Sequence, residues 1–263
     1  MNNFFPEYFN DGQDFIKQCI LGGIYDYYMN DSEELFLENL KIQPENWKYR
    51  TKNIKYTINS YGYRTKEFDE IDWKNSIVII GCSTVFGVGV SDEDTLSYQL
   101  SKLFNRDVIN LGVVGGSNQF MLDLSLALKN KYGIPYGIIF MWTSTSRFPY
   151  YSFERLNHIG VWNANSGDSL LDSKKYSYLF KYLYSETSHE AITFYNISQC
   201  AKNIWSDKTI FYEGSYFYET VNFGKIENFH NCTTNARDLL HPSDDDHSKT
   251  AIDIYKKITN NNE

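Results

Sequence analysis

A chain of 263 residues, 42% hydrophobic and 22% charged, has the composition of a folded globular protein and the length to bury a real core. Its net charge of −8, with no offsetting lysine or arginine stripe, argues against nucleic acid or an anionic membrane as the main partner. The longest apolar run, residues 77–90, is interrupted by Gly, Ser and Thr and too short to span a bilayer. The first fifteen residues lack a signal-peptide pattern, so a soluble cytoplasmic protein is expected.

Residues 1–70 are expected to form an arm packed on the core. DFIKQCILGGIYDYY (14–28) has helical apolar spacing, and DSEELFLENL (31–40) opens with Asp31 and Ser32 as candidate N-caps. NIKYTINSYGYRT (53–65) alternates as a strand or hairpin does. From residue 76 the pattern changes. SIVIIG (76–81), RDVINLG (106–112), YGIIFMWT (136–143) and KTIFYEG (208–214) are short buried-strand runs. Between and after them, TLSYQLSKLF (95–104), NQFMLDLSLALKNKYG (118–133), KKYSYLFKYLYSE (174–186) and SHEAITFYNISQCAKNIW (188–205) have helical spacing. The last helix, SDDDHSKTAIDIYKKI (243–258), has Ser243 as N-cap, acids in its first turn and lysines in its last, as the helix dipole favours.

This alternation implies right-handed βαβ units. The predicted fold is a three-layer α/β/α sandwich with a mostly parallel sheet of about five strands, spanning residues 71–263. The irregular stretch from 146 is expected to be a cap-like insertion reaching to about 190. Aromatic residues make up 17% of the chain, and core packing is their first use; stacking on sugar rings is a second. Cys19, Cys82, Cys200 and Cys232 show neither a CxxC pair nor metal-ligand spacing and are expected as free thiols. His158, His189 and His230 lack partners at ligand spacing and are expected on the surface or in loops, and neither metal nor cofactor is implied.

In parallel sheets, ligands bind beyond the carboxyl ends of the strands. Gly81-Cys82-Ser83, Gly112 to Gly116, Thr143 to Thr145 and Glu213-Gly214 fall at such ends. GCSTVFGVG is not a phosphate-binding loop, since its glycine spacing is wrong and no Lys-Ser/Thr follows. A nucleophilic serine needs a base and an orienting acid, and Asp238 and His241 offer them three residues apart before the last helix. An isolated D-x-x-H is more often a capping Asp with a surface His.

Taken together, the segments resemble the SGNH/GDSL hydrolase family. GCSTVFG resembles its first block, with Cys82 in place of Asp, and GVGVSDEDTLSYQL its usual continuation. INLGVVGGSNQ resembles the second block, and DLLHPSDDDHSKTA the last, including His247 and Ala251. YTINSYGYRTKEF resembles an Asn-x-x-Gly-Tyr-Arg arm of members that are often phage-encoded or involved in polysaccharide acylation. The resemblance covers residues 55–145 and 235–255 and implies a flavodoxin-like sheet.

The resemblance implies Ser83 as nucleophile, His241 as general base and Asp238 as its orienting acid. The N–H groups of Ser83 and Gly115 would form the oxyanion hole. Strand alternation points Cys82 toward the core, away from Ser83. The family's third oxyanion donor, an Asn after the third strand, has no counterpart in MWTSTSRF; Thr143, Ser144, Thr145 and Arg147 are the substitutes available. Asn118, Trp142 and Arg147 are expected to contact substrate. The implied activity is that of a serine esterase acting on a small-molecule or carbohydrate ester, with an O-acetylated carbohydrate favoured. An O-acyltransferase and a catalytically silent binding or structural module are the alternatives. Oligomeric state is not legible.

Overall fold

The computed structural model describes residues 16–18, 20–151, 156–160 and 187–260. The helix expected over 14–28 is not what its described part forms. Gly23–Tyr25 is instead a strand, β1. Two adjacent glycines disfavour helix, and Gly22 packs so closely on residue 59 that a Cβ there would lie 2.8 Å from the Asn59 carbonyl oxygen. Helix α1 (Glu33–Ile42) follows, capped by the Ser32 hydroxyl, which accepts the Leu35 N–H at 3.2 Å. Strand β2 (Tyr56–Ile58) pairs antiparallel with β1 rather than forming a local hairpin. It ends in a tight turn where Asn59 Oδ1 accepts the N–H groups of Tyr61 and Tyr63 at 3.0 and 2.9 Å.

The chain then runs through β3 (Ile77–Gly81), α2 (Ser83–Phe86), α3 (Leu96–Phe104), β4 (Val108–Gly112), α4 (Asn118–Tyr132) and β5 (Gly137–Trp142). Thr95 and Ser117 cap α3 and α4 with their hydroxyls, and Gly133 ends α4. Strands β6 (Phe148–Tyr151) and β7 (Leu156–Ile159) form an antiparallel hairpin in part of the stretch expected to be irregular. The helix expected over 174–186 lies outside the described residues. Helix α5 (Thr187–Trp205), β8 (Ile210–Ser215), α6 (Tyr218–Gly224) and α7 (Asp244–Asn260) complete the fold.

The main sheet is parallel, in the order β4-β3-β5-β8, with Gly81 paired to both Gly112 and Met141. It has four strands among the described residues where about five were expected, because the chain after β8 makes only isolated bridges before α7. Alternation along each strand divides the core into two layers. Val78, Ile80, Cys82, Ile109, Leu111, Ile138, Phe140 and Trp142 pack with Phe120, Leu124 and Leu128 of α4 and Phe194, Ile197 and Ala201 of α5. Ile77, Ile79, Val108, Ile139 and Met141 face Leu96 and Leu100 of α3 and Ala251, Ile254 and Ile258 of α7. The result is an α/β/α sandwich. A third cluster joins Tyr49, Ile54, Tyr56 and Ile58 to Phe86 and Val88, so the N-terminal segment covers the chain leaving α2. No described helix is long and apolar enough to cross a membrane.

Two histidines are buried. His230, in a loop but packed inside rather than exposed, has Nε2 2.8 Å from the Tyr212 hydroxyl and Nδ1 3.3 Å from Asp253. His247, in the first turn of α7, is fully buried beside Arg64, Asp246, Asp244 and His241. Burial, aided by Lys257 against Asp253 in one case and by Arg64 in the other, pushes each imidazole down to about 4. A free histidine titrates near 6.5, so the unfolded chain takes up these protons first, and stability falls as pH drops from about 6.5 toward 4. The expected loss by pH 4 is on the order of 3 kcal/mol per histidine. Urea denaturation at pH 7 and pH 4.5 checks this: the midpoint should fall at the lower pH, and His247→Leu should shrink the difference. An equal midpoint at both pH values would contradict it.

Candidate active site

Ser83 sits at the carboxyl end of β3, an inner strand, as the first residue of the four-residue helix α2. The turn is built from small residues because the chain is crowded there. The Cys82 carbonyl accepts the N–H groups of Val85 and Phe86, and Gly87, at φ 83°, closes the helix by donating to the Ser83 carbonyl at 3.0 Å. Beneath it, β4 ends in Gly112, where a Cβ would lie 2.2 Å from the Phe86 nitrogen. Asn110 Nδ2 donates to the Val85 carbonyl at 2.9 Å and to Ser97 Oγ at 3.1 Å, while its Oδ1 accepts the Gly112 N–H at 2.9 Å. From the other side, the buried Arg64 guanidinium donates to the carbonyls of Gly87 (2.5 Å) and Val90 (2.8 Å) and pairs with Asp92 at 2.6 Å.

His241 approaches from the loop before α7. Its Nε2 lies 2.8 Å from Ser83 Oγ, and its Nδ1 lies 2.5 Å from Asp238 Oδ2. Asp238 is 2% exposed, and its other oxygen accepts the N–H groups of Leu240 and His241, both at 3.1 Å. An ionised carboxylate only accepts, so Nδ1 carries the imidazole proton and the Nε2 lone pair faces the serine hydroxyl. The loop is closed by the Ala236 N–H donating to the His241 carbonyl at 2.8 Å, with Leu239 in the left-handed region at φ 59°. Just beyond, Tyr49 and Lys52 bond Asp244 at 3.0 and 2.7 Å, and Lys48 joins them. Burial raises the Asp244 carboxyl, but the two lysines outweigh it and hold the group well below the usual carboxylate range.

Gly115 lies in the loop after β4 at φ 76°, in a turn closed by the Gly116 N–H donating to the Val113 carbonyl at 2.9 Å. Among the described residues, neither the Ser83 nor the Gly115 N–H donates to a protein acceptor. The segment after β5 is held from below. Asn118 is 2% exposed; its Nδ2 donates to the Thr143 carbonyl at 2.9 Å and its Oδ1 accepts the Thr143 N–H at 2.8 Å. Thr220 of α6 donates to the same carbonyl at 2.7 Å. Ser144 Oγ lies 2.9 Å from Ser146 Oγ, and the Thr145 hydroxyl donates to Glu190 at 2.8 Å.

Cys82 is fully buried in the apolar layer, as strand alternation predicts. Burial alone would push its thiol up, but the Arg147 charge and the neighbouring Thr143 and Thr84 side chains, with Thr84 Oγ1 3.4 Å from the sulfur, bring it to about 7. Arg147 also lies 5.7 Å from the Phe217 ring centroid. Trp142, expected against substrate, is 1% exposed: it stacks on Phe140 and donates its Nε1–H to Glu213 at 3.1 Å. Such a ring has no face left for a ligand.

Thus Ser83, Asp238 and His241 are brought together, whereas Asn118 and Trp142 are used within the fold. Sequence reasoning missed Asn110, which staples α2. Arg64 lies in the Asn-x-x-Gly-Tyr-Arg segment, whose sequence alone gives no sign that its guanidinium braces the chain leaving α2. No cluster of three metal-ligating side chains occurs among the described residues.

No family model matches the chain, and no curated protein matches it. Several solved structures show a distant likeness. A psychrotrophic esterase from Pseudoalteromonas sp. is 12% identical, with 71% of this chain and 98% of that one covered and a TM-score of 0.42. An acetyl xylan esterase from the rumen bacterium Butyrivibrio proteoclasticus is also 12% identical, covering 73% and 64% of the two chains at 0.42. A carbohydrate esterase family 2 enzyme with a carbohydrate-binding domain, from Corynascus thermopiles, is 11% identical, covering 78% and 70% at 0.44. Identities this low, with TM-scores below 0.5, say nothing about chemistry, which rests on the side-chain geometry.

Proposed function

We propose that the chain is a serine esterase. The observation that carries this reading is the unbroken hydrogen-bond line from Ser83 Oγ through the His241 ring to the buried Asp238. A serine hydroxyl is a weak nucleophile until a base takes its proton. In this reading His241 Nε2 removes that proton as Oγ bonds to the ester carbonyl carbon, and Asp238 stabilises the resulting imidazolium. The negative oxygen is received by the N–H groups of Ser83 and Gly115. His241 returns the proton to the departing alcohol, leaving an acyl-serine. Water then attacks it, giving its proton to His241, and the acid leaves as the serine proton is restored.

The proposed substrate is a small-molecule or carbohydrate ester, with an O-acetylated carbohydrate favoured by the aromatic-rich segments that follow β5. The described part of residues 1–70 serves as an arm on the core; most of the cap expected over 146–190 lies outside the described residues. Thr143, or the cationic Arg147, supplies the third oxyanion interaction in place of a side-chain amide. Capture of the acyl group by a sugar hydroxyl instead of water would make the same site an O-acyltransferase.

One observation favours a second reading, a catalytically silent binding or structural module. Asn118 is committed to the Thr143 backbone, and the Ser144 and Thr145 hydroxyls are bonded elsewhere, so no amide stands ready as third donor. Losing one such donor costs about 10²-fold or more in rate. Turnover of p-nitrophenyl acetate and acetylated xylan separates the readings. The esterase is expected to hydrolyse at least one, with Ser83→Ala losing about 10³-fold or more. No turnover of either, with acetylated glycan still bound, would favour the silent module.

A further inference from the structure

The loop carrying Asp238 and His241 and the loop leaving Ser83 meet at one buried carboxylate contributed by the N-terminal segment. Asp31 is 1% exposed, on a tight turn where Tyr28 and Asp31 exchange backbone hydrogen bonds of 2.9 and 3.1 Å. Arg237, the residue before Asp238, donates to Asp31 from Nε (2.9 Å to Oδ1, 3.2 Å to Oδ2) and from Nη2 (2.7 Å to Oδ2). Its guanidinium is also 4.6 Å from the centre of the Tyr27 ring and donates to the Asp26 carbonyl at 2.6 Å. The Tyr56 hydroxyl donates to the same Asp31 carboxylate and accepts the Gly89 N–H at 2.8 Å.

Gly89 completes the connection. Its carbonyl accepts the Arg237 N–H at 3.1 Å, and at φ 81° it packs so closely that a Cβ would lie 2.7 Å from Ala236 Cβ and 3.1 Å from Asp238 Oδ1. Asn39 of α1 donates to the Arg237 carbonyl at 3.0 Å. A buried ion pair of this kind is weak as a source of net stability, because desolvation offsets its attraction. What it does supply is geometry: a bidentate guanidinium fork admits few orientations.

We propose that Asp31 is a positioning residue for the site. Through Arg237 and Tyr56 it holds the loop of Asp238 and His241 in register with the loop leaving Ser83, and so sets the serine–imidazole distance. This role rests on the esterase reading above. The N-terminal segment is then part of the reacting apparatus, acting through two intermediaries rather than by touching the substrate.

The test measures the rate at which an alkyl fluorophosphonate labels Ser83 in the full chain, alongside Tm and circular dichroism. Asp31→Asn keeps the size and removes the charge. Per folded molecule and well below its Tm, it is expected to label about tenfold to a hundredfold more slowly than wild type, since small misplacements at a reacting pair cost that much. With an ester substrate, the loss should fall on kcat rather than KM. Arg237→Lys should recover part of the rate lost in Arg237→Gln. A folded Asp31→Asn that labels at the wild-type rate, with only its Tm lowered, would overturn the proposal. If Asp31→Asn does not fold, Tyr56→Phe and Arg237→Gln carry the comparison, and wild-type rates in both overturn it. Absence of labelling in wild type removes the esterase reading and this role with it, an outcome distinct from wild-type labelling matched by the variants.

Discussion

Asp238→Asn is expected to leave the fold nearly intact while lowering kcat for ester hydrolysis by roughly 10³- to 10⁴-fold. The two oxygens of Asp238 have separate tasks. Oδ1 accepts the Leu240 and His241 N–H groups, and an asparagine carbonyl oxygen can keep both bonds. Oδ2 faces His241 Nδ1 at 2.5 Å, and there the substitution presents an NH₂ group, which only donates. The ring must then carry its proton on Nε2, pointing it at Ser83, and no lone pair remains to take the hydroxyl proton. His241→Ala removes the base outright and is expected to lose at least as much, about 10⁴-fold or more. Because each change strikes proton transfer, KM should move little. Steady-state kinetics on p-nitrophenyl acetate, with urea denaturation as the stability control, read both quantities. Wild-type kcat in folded Asp238→Asn would show that the carboxylate does not orient the imidazole.

Gly112→Ala is expected to have the largest effect on stability, about 3 kcal/mol or more. The added methyl would lie 2.2 Å from the Phe86 nitrogen, 2.8 Å from Phe86 Cα and 2.8 Å from the Val85 carbonyl carbon. All three are backbone atoms, so no side-chain rotation relieves the contact. The strand cannot retreat easily either, since β4 is paired to β3 along its whole length. Helix α2 must lift, carrying Ser83 away from His241, so activity per folded molecule should also fall, by about 10²-fold. Denaturant midpoints and kcat on the same preparations measure the two effects. A variant as stable as wild type would mean that α2 is held less tightly than these contacts imply.

The sheet was legible because parallel strands buried on both faces read as unbroken β-branched runs, as Ile77 to Ile80 do. Helix ends were legible where a chemical cap marks them, at Ser32 and Gly133. The N-terminal segment misled because residues 14–28 carry helical apolar spacing, while the outcome is decided by pairing with residues 56–58, a tertiary contact without local signature. The site divides in the same way. The grouping of Ser83 with Asp238 and His241 could be read from short motifs. Their link through Asp31 and Arg237 could not, because these two meet across 206 residues, Asp31 reads alone as a helix cap and Arg237 as an ordinary surface charge. Trp142 and Asn118 misled for another reason. Position at a strand end or a helix start does not tell which way a side chain points, and both turn inward.

An activated Ser83 nucleophile is tested most directly by mapping a fluorophosphonate adduct by mass spectrometry on the folded protein. The expected result is a single adduct on Ser83, abolished by Ser83→Ala and retained in Cys82→Ala. An unlabelled folded wild type, or an adduct on the Cys82 thiol, would contradict it.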